Sequence, residues 1–158
     1  MTERVTTTKV TEYLEMQNVP FELLHHKTPA VTIEDAANQR GISPRQMVKS
    51  ILLRDMDNNY TLACVPGDQQ ADPKKVRAIL KCRRMTCVAL SEVPEITGYT
   101  PGTIAPVLLS SNMNIFFDRR FQTLDNITIS SGSNMAGVAM KTADLIKLCK
   151  PIFADITR

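Results

Sequence analysis

The sequence predicts a single α/β domain of the α+β type, in which helices surround a mixed sheet of six or seven strands. Its 158 residues suffice for one ordinary domain with a substantial core. The composition, with 43% hydrophobic and 22% charged residues, lies close to the globular average and argues against disorder. Short β-rich and helical segments follow one another irregularly, and no G-x-G-x-x-G or Walker loop occurs, so a dinucleotide-binding fold is not expected.

The first half of the chain has clear boundaries between its elements. Pro20 stops the first helical pattern, Thr32 is a candidate N-cap with Asp35 three residues later, and Gly41 is typical of a helix end. The Asp and Asn residues at 55–59 suit the tip of a hairpin. The predicted elements are a helix at 5–19, a strand at 21–24, a helix at 32–41, a helical turn from 43, and hairpin strands at 47–53 and 60–65.

The second half combines shorter elements with one irregular loop. Two prolines and a glycine among the residues 100–106 exclude regular structure there and predict a stiff loop. Thr142 is the candidate N-cap of the last helix, and Pro151 follows that helix. The predicted elements are helices at 73–80, 91–98 and 142–149, and strands at 85–88, 115–118, 126–130 and 138–141.

Charge and composition exclude several classes of protein. A net charge of +3 is too small to hold nucleic acid by bulk electrostatics, although a local basic patch is compatible with it. Three Tyr, five Phe and no Trp are few for a surface of stacked rings. The four cysteines lack C-x-x-C spacing, which predicts reduced, mostly buried thiols. No apolar run approaches the ~20 residues of a membrane span, so we expect a soluble, cytoplasmic protein without a membrane partner.

The sequence offers no conventional catalytic centre. His25 and His26 point to opposite faces of an extended chain, and we interpret them as a surface pair rather than a metal site. No G-x-S-x-G elbow is present, and the segment 130–133 is more typical of a turn than of a nucleophile. We therefore expect no metal and no organic cofactor.

Lys49 is the most unusual residue of the predicted hairpin, because it lies among apolar neighbours. Strand alternation places it on one face with Met47, Ile51 and Leu53. A lysine there could direct its ammonium into a pocket and hold an anion or a carbonyl oxygen. The alternative is a strand-end lysine that extends to solvent.

Two other segments allow both a functional and a structural interpretation. The segment 74–84 has six basic residues and no acid. Lys74, Arg77 and Lys81 share the outer face of its helix, and the apolar residues Val76, Ile79 and Leu80 face the core. This face suits a phosphate backbone or is simply solvated. The stiff loop at 100–106 suits ligand recognition or is a plain surface turn.

Six segments in this order resemble the YbaK-type aminoacyl-tRNA deacylases, which share a fold with the editing domain of bacterial prolyl-tRNA synthetases. Lys49 lies where that family has its essential lysine, and Gly102-x-x-x-Pro106 resembles the family's G-x-x-x-P loop. The resemblance implies a largely antiparallel, barrel-like sheet and one editing domain over residues 1–158. The matching segments are 48–50, 71–76, 96–106, 129–134, 143–145 and 154–156.

The resemblance implies a free-standing trans-editing hydrolase. It would cleave the ester between a wrong amino acid and the 3′-terminal adenosine of a tRNA, with tRNA-Pro carrying Cys, Ala or another small amino acid as the expected substrate. No protein nucleophile is needed, because the ribose hydroxyl or the substrate's side chain can promote cleavage. The implied catalytic residues are Lys49 and the backbone amides of Gly102, Thr103, Ile104 and Ala105. The expected substrate-binding residues are Ser50, Tyr99, Pro106, Gly132, Ser133 and Asn134, and the expected tRNA-binding residues are Lys74, Arg77 and Lys81.

The chain departs from the family pattern at two places. Thr103 stands where the family loop commonly has a second glycine, and Gly137, Val138 and Ala139 stand where synthetase editing domains often have a histidine.

Alternative interpretations are a non-catalytic module of the same fold that binds a tRNA end, an amino-acid-like ligand or a protein partner, and a general nucleic-acid binder. The expected partners are aminoacyl-tRNA and prolyl-tRNA synthetase, and the oligomeric state is not predicted.

Overall fold

A computed structural model describes residues 7–158 of the chain, and these residues form two β-sheets with helices around them. The helices are α1 (Lys9–Met16), α2 (Ile33–Arg40), α3 (Pro73–Leu80), α4 (Val93–Thr97) and α5 (Thr142–Cys149). The strands are β1 (Phe21–His25), β2 (Val48–Arg54), β3 (Tyr60–Pro66), β4 (Thr86–Cys87), β5 (Asn114–Asp118), β6 (Asn126–Ser130), β7 (Ala136–Lys141) and β8 (Ile152–Ala154). Short 3₁₀ turns lie at Pro44–Gln46, Leu90–Glu92 and Arg119–Thr123.

The two sheets differ in strand direction. The smaller sheet has the order β1-β7-β6 and is antiparallel throughout. The larger sheet has the order β4-β2-β3-β5-β8, with antiparallel pairing around β2 and parallel pairing from β3 through β5 to β8. A single parallel bridge between Met47 and Thr128 connects the sheets. The mixed α/β architecture predicted from the sequence is confirmed.

Most predicted elements are present, and the differences have physical causes. The described residues contain eight strands in two sheets, one more than predicted. The additional strand, β8, has only three residues and depends on pairing with β5, so the sequence pattern did not reveal it. Thr142 is not an N-cap but the first residue of α5, and its buried hydroxyl has no hydrogen-bond partner within residues 7–158. The predicted start of the first helix at Val5 lies outside the described residues, and the helix begins at Lys9.

The main core lies between the two sheets, and strand alternation decides which residues reach it. On β2 and β5, Leu52 and Phe117 pack into this core, whereas their neighbours Leu53 and Phe116 pack into a second cluster with α3. Of the residues predicted to turn α3 toward the core, Val76 is fully buried but Ile79 is 42% exposed. The helix therefore contacts the sheet along a narrower stripe than the sequence pattern predicted.

Helix α2 is fixed at both ends by local hydrogen bonds. The Thr32 hydroxyl accepts a hydrogen bond from the Asp35 amide at 3.0 Å, and the Asp35 carboxylate accepts one from the Val31 amide at 3.1 Å. Gly41 ends the helix with φ of +71°, a left-handed conformation that glycine adopts without strain. These caps determine where Arg40, in the last turn, places its side chain.

Within residues 7–158 no helix is long and apolar enough to cross a membrane. The same part of the chain contains no cluster of three or more His, Cys, Asp or Glu side chains that could hold a metal ion.

The carboxylate of Asp118 is fully buried and ties the end of β5 to the C-terminal segment. It accepts hydrogen bonds from the amides of Arg120 at 3.0 Å and Ile156 at 3.1 Å. We expect Asp118→Ala to lower the free energy of unfolding by about 2–4 kcal/mol, because the buried amide of Ile156 and the partly buried amide of Arg120 lose their acceptor. Urea unfolding measures this, and Asp125→Ala, at an exposed position, should change stability by less than about 0.5 kcal/mol. Equal effects would contradict the assigned role of Asp118.

Candidate functional site

A cavity of about 800 Å³ opens beside the N-terminal half of β2. Its walls are the start of α2, the loop at 100–104 and the turn at 130–134. Strand β4 pairs with β2 only at Leu53 and Arg54, so much of this edge of β2 faces the cavity instead of another strand. The sequence-predicted residues that line the cavity are Lys49, Ser50, Gly102, Thr103, Ile104, Gly132, Ser133 and Asn134.

Three of the predicted catalytic and substrate-binding residues do not line the cavity. Ala105 is fully buried in the main core, and Pro106 is buried beside it. Tyr99 is 3% exposed; its hydroxyl donates a hydrogen bond to the Val107 carbonyl at 2.5 Å, and the Lys9 amine lies 4.0 Å from its ring centre. Tyr99 therefore joins the two ends of the loop at 100–106 and does not face a substrate.

The loop at 100–106 begins with a tight turn that its sequence explains. The Thr103 amide donates to the Thr100 carbonyl at 3.0 Å, with Pro101 and Gly102 at the central positions. Gly102 has φ of +84°, as the third residue of a type II turn requires. The Thr103 amide is consumed within the turn, whereas the amides of Gly102 and Ile104 donate to no acceptor within residues 7–158. Of the four amides predicted to polarise a carbonyl, these two remain available in the cavity wall.

The Thr103 side chain serves the loop itself. Its hydroxyl donates to the Thr100 carbonyl at 2.9 Å and lies 2.9 Å from the Thr100 hydroxyl, and the residue is only 6% exposed. The carbonyl of Thr103 accepts a hydrogen bond from the Ser130 hydroxyl at 2.7 Å, and that hydroxyl also accepts from the Gly132 amide at 2.9 Å. The threonine at this departure from the family pattern thus stiffens the loop.

Lys49 lies on β2 opposite Val65 and contributes to the cavity wall. Partial burial lowers the pKa of the Lys49 amine from its usual value of 10.5. The negative charges of Glu34 and Asp68 oppose this effect and raise the pKa, but burial has the larger effect. No ion pair or hydrogen bond engages this amine within residues 7–158. The ammonium is therefore available for a ligand.

His26 is buried, in contrast to the predicted surface pair. It is 1% exposed and lines the cavity, whereas His25 is exposed at the end of β1. Its Nδ1 lies 2.8 Å from the Asn134 carbonyl, and its Nε2 lies 3.1 Å from Nε of Arg40. Because an arginine Nε–H can only donate, the His26 ring carries its proton on Nδ1 and is neutral. Burial lowers its pKa from 6.5; the hydrogen bond to Asn134 opposes this effect and the charge of Arg40 adds to it.

Sequence reasoning wrongly assigned His26 to the surface and did not single out Arg40. Strand alternation requires one of two adjacent residues to point inward, and this argument could have identified His26 as a buried residue. A basic residue in the last turn of a helix is common because it complements the helix dipole, so no local pattern singles out Arg40.

Two of the thiols, those of Cys64 and Cys149, are held protonated by burial and do not supply a nucleophile to this site. Burial raises the pKa of Cys64 to about 12 and also raises that of Cys149, whose thiol donates to the Pro106 carbonyl at 3.1 Å. Cys87 lines the cavity but is exposed, contrary to the prediction of mostly buried thiols. The cavity can bind an oxygen-rich ligand through two cations and free amides, and it can orient a bond for attack by water or by the ligand itself.

The predicted basic face of α3 is exposed but separate from the cavity. Lys74, Arg77 and Lys81 are all exposed, and none of them lines the cavity. Lys75, next to Lys74, instead forms an ion pair, with its Nζ 3.1 Å from Oδ2 of Asp155. A smaller cavity of about 650 Å³ lies between Lys81 and the tip of the β2–β3 hairpin.

Comparison with known proteins identifies the family of the chain. A family model described as an aminoacyl-tRNA editing domain matches residues 27–148. The chain is 34% identical over 137 residues to a proline–tRNA ligase of Bacillus licheniformis, covering 85% of this chain and 23% of the ligase. It is 25% identical over 158 residues to the multifunctional Ser/Thr-tRNA deacylase ProXp-y of Escherichia coli K12, covering 98% of this chain and 94% of that protein. The chain thus spans less than a quarter of the ligase.

Solved structures agree with this fold. The crystal structure of a hypothetical protein has a TM-score of 0.88 at 23% identity, covering 96% of this chain and all of the other. A crystal structure described as that of a candidate trans-editing enzyme for prolyl-tRNA synthetase has a TM-score of 0.84 at 19% identity, covering 97% of this chain and 99% of that one. These likenesses establish the architecture.

The neutral, buried state of His26 predicts a pH dependence of stability. The pKa of His26 in the folded state lies below its unfolded value of 6.5. As the pH falls through 6.5, the unfolded state therefore binds more protons than the folded state and is stabilised relative to it. We expect the free energy of unfolding to decrease between pH 7.5 and 5.5, and this part of the decrease to disappear in His26→Gln. Urea unfolding at several pH values measures it, with exposed His25→Gln as the matched control. The same pH dependence in wild type and His26→Gln would contradict the prediction.

Proposed function

Because this chain belongs to the family of aminoacyl-tRNA editing domains, we propose that it hydrolyses the ester joining a small amino acid to the 3′-terminal adenosine of a tRNA. The observation that carries the proposal is the meeting of Lys49 and the loop at 100–104 in one cavity of about 800 Å³. This volume is typical of a site for a drug-sized ligand. The aminoacyl-adenosine end of a tRNA is a ligand of that kind.

Lys49 is proposed to bind the phosphate or ribose of the terminal adenosine. Its ammonium has no partner within residues 7–158, and its partial burial strengthens an interaction with an anion, because the local dielectric constant is lower than in water. Lysine acts as a point charge on phosphate and needs no exact geometry. This role orients the ester without covalent chemistry by the protein.

The amides of Gly102 and Ile104 are proposed to polarise the ester carbonyl. They belong to a loop that is closed by Tyr99 at its base and by Ser130 at its centre, so they are fixed before substrate binds. Preorganised amide donors stabilise the oxyanion that develops when a carbonyl is attacked. The nucleophile would be water or a hydroxyl of the substrate.

The amino acid and the tRNA are open within this proposal. The resemblance implies Cys or Ala on tRNA-Pro, whereas the full-length Escherichia coli relative is named a Ser/Thr-tRNA deacylase. All four are small. A partnership with prolyl-tRNA synthetase and a location in the cytoplasm remain predictions, and a separate carrier would compensate for the modest net charge of +3.

We expect Lys49→Ala to lower kcat/KM for deacylation by about 100-fold or more, because a charged group that orients the ester is lost. Purified protein would be assayed on a panel of aminoacylated tRNAs. Lys141→Ala is the matched control, since Lys141 is exposed and lies outside the cavity. Equal rates for wild type and Lys49→Ala would remove Lys49 from the mechanism. No deacylation of any substrate by wild type, with retained binding, would favour a non-catalytic module.

The exposed face of α3 is proposed to contact the tRNA backbone outside the cavity. We expect the double substitution Lys74→Gln and Arg77→Gln to weaken tRNA binding and to reduce the slope of log Kd against log salt by about 0.9 per lost phosphate contact. The turnover number at saturating tRNA should not change, because α3 does not reach the ester. Filter binding across salt concentrations measures the slope, with Lys147→Gln on α5 as the control. An unchanged slope would contradict this contact.

A further inference from the structure

Arg40 is a second cation in the cavity wall that the proposed mechanism does not use. It extends from the last turn of α2, is largely removed from water, and lies against the buried residue Gly137 of β7. No carboxylate pairs with it within residues 7–158. Burial lowers its pKa to about 10, which still leaves it fully charged at neutral pH. A charge that is partly removed from water without a counter-ion is unfavourable, so a ligand that compensates the charge is the expected reason for it.

Only part of the donor capacity of Arg40 is used. A guanidinium has five N–H groups. Its Nε–H donates to Nε2 of His26 at 3.1 Å, and one Nη1–H donates to the hydroxyl of Thr128 at 3.1 Å. The three remaining N–H groups have no acceptor within residues 7–158. These donors require oxygen atoms, and the cavity that Arg40 lines is where such atoms can enter.

The guanidinium is held in place rather than free to move. Its two acceptors are themselves buried, His26 at 1% and Thr128 at 3% exposure. A methyl group at position 137 would overlap the guanidinium, so the glycine there makes room for it. His26 cannot turn away, because its Nδ1–H is bonded to the carbonyl of Asn134. This is a preorganised donor group, not a surface arginine that happens to lie near an opening.

We propose that Arg40 is a specificity-determining residue, which donates a hydrogen bond to the side-chain hydroxyl oxygen of the amino acid and so selects seryl and threonyl esters over alanyl esters. This inference rests on the proposed function. The aminoacyl group is the terminal part of the substrate and enters deepest, whereas the phosphates must stay near the opening through which the tRNA leaves. Arg40 lines the cavity and its guanidinium packs against two buried residues, Thr128 and Gly137, which places it on a wall that is closed to solvent behind it.

The chemistry of the site separates neighbouring amino acids. Alanine has the size of serine without the hydroxyl, so an alanyl ester leaves the Arg40 donors unpaired in a desolvated site. A site built to hydrogen-bond a substrate hydroxyl discriminates strongly against the analogue that lacks it. A lysyl or arginyl ester would add a like charge next to the guanidinium and is disfavoured for that reason.

The experiment compares kcat/KM for one tRNA acceptor stem charged with serine, threonine or alanine. We expect wild type to prefer the seryl over the alanyl ester by roughly tenfold or more, since a hydrogen bond from a charged donor is at stake. In Arg40→Met the seryl and threonyl rates should fall by about ten- to a hundredfold, while the alanyl rate changes by less than about threefold. Arg45→Met, at an exposed arginine outside the cavity, is the matched control and should leave all three rates unchanged.

A second variant retains the charge and moves it. Gly137→Ala displaces the guanidinium without removing it, so we expect the seryl-to-alanyl ratio to fall in this variant as well. A wild-type ratio near one overturns the proposal without any variant. Equal losses for all three esters in Arg40→Met also overturn it, because they indicate a role in folding or in binding a phosphate. If Arg40→Met deacylates with the same seryl-to-alanyl ratio as wild type, only the role of Arg40 is refuted. If wild type is inactive on every ester, the proposed function is refuted as well.

Discussion

The site depends on one hydroxyl group, that of Ser130, which connects two irregular segments across the cavity. It donates to the carbonyl of Thr103 at 2.7 Å and accepts from the amide of Gly132 at 2.9 Å. The loop at 100–106 and the turn at 131–134 lie outside the strands, so regular pairing does not hold them at a fixed separation. A hydroxyl at the end of β6, which can donate and accept at once, does so.

The cavity wall carries positive charge that no ion pair with a described carboxylate compensates. Two cations, Lys49 and Arg40, lie in a wall where neither has an ion pair within residues 7–158. Charges that are partly removed from water and lack a counter-ion destabilise the free protein, and the oxygen-rich ligand that we propose would offset this cost. A net charge of +3 is therefore no measure of how strongly this cavity attracts such a ligand. Local placement of charge matters more than its sum.

Sequence patterns predicted the elements well because each has a local cause. The cap at Thr32, the stop at Gly41 and the irregular loop that contains Pro101 and Gly102 follow from residues within or adjacent to them. What the patterns could not supply is long-range: the parallel pairing of β8 with β5, and the burial of His26. Lys49 and the loop were identified as a candidate pair, but that identification came from a resemblance to a family and not from their spacing.

The environment of Gly137 shows why position-by-position transfer of site residues is incomplete. The resemblance placed a histidine in this region of synthetase editing domains, and the chain has only Gly137, Val138 and Ala139 there. The space above Gly137 is not empty, because the guanidinium of Arg40 reaches it from α2 and is supported by His26 from the end of β1. A polar group thus occupies the cavity wall although no polar side chain arises from β7 beneath it. A ligand contacts the atoms of the cavity wall, whichever sequence position supplies them. The absence of a family residue is therefore expected to change specificity only when no side chain from another element occupies the same space.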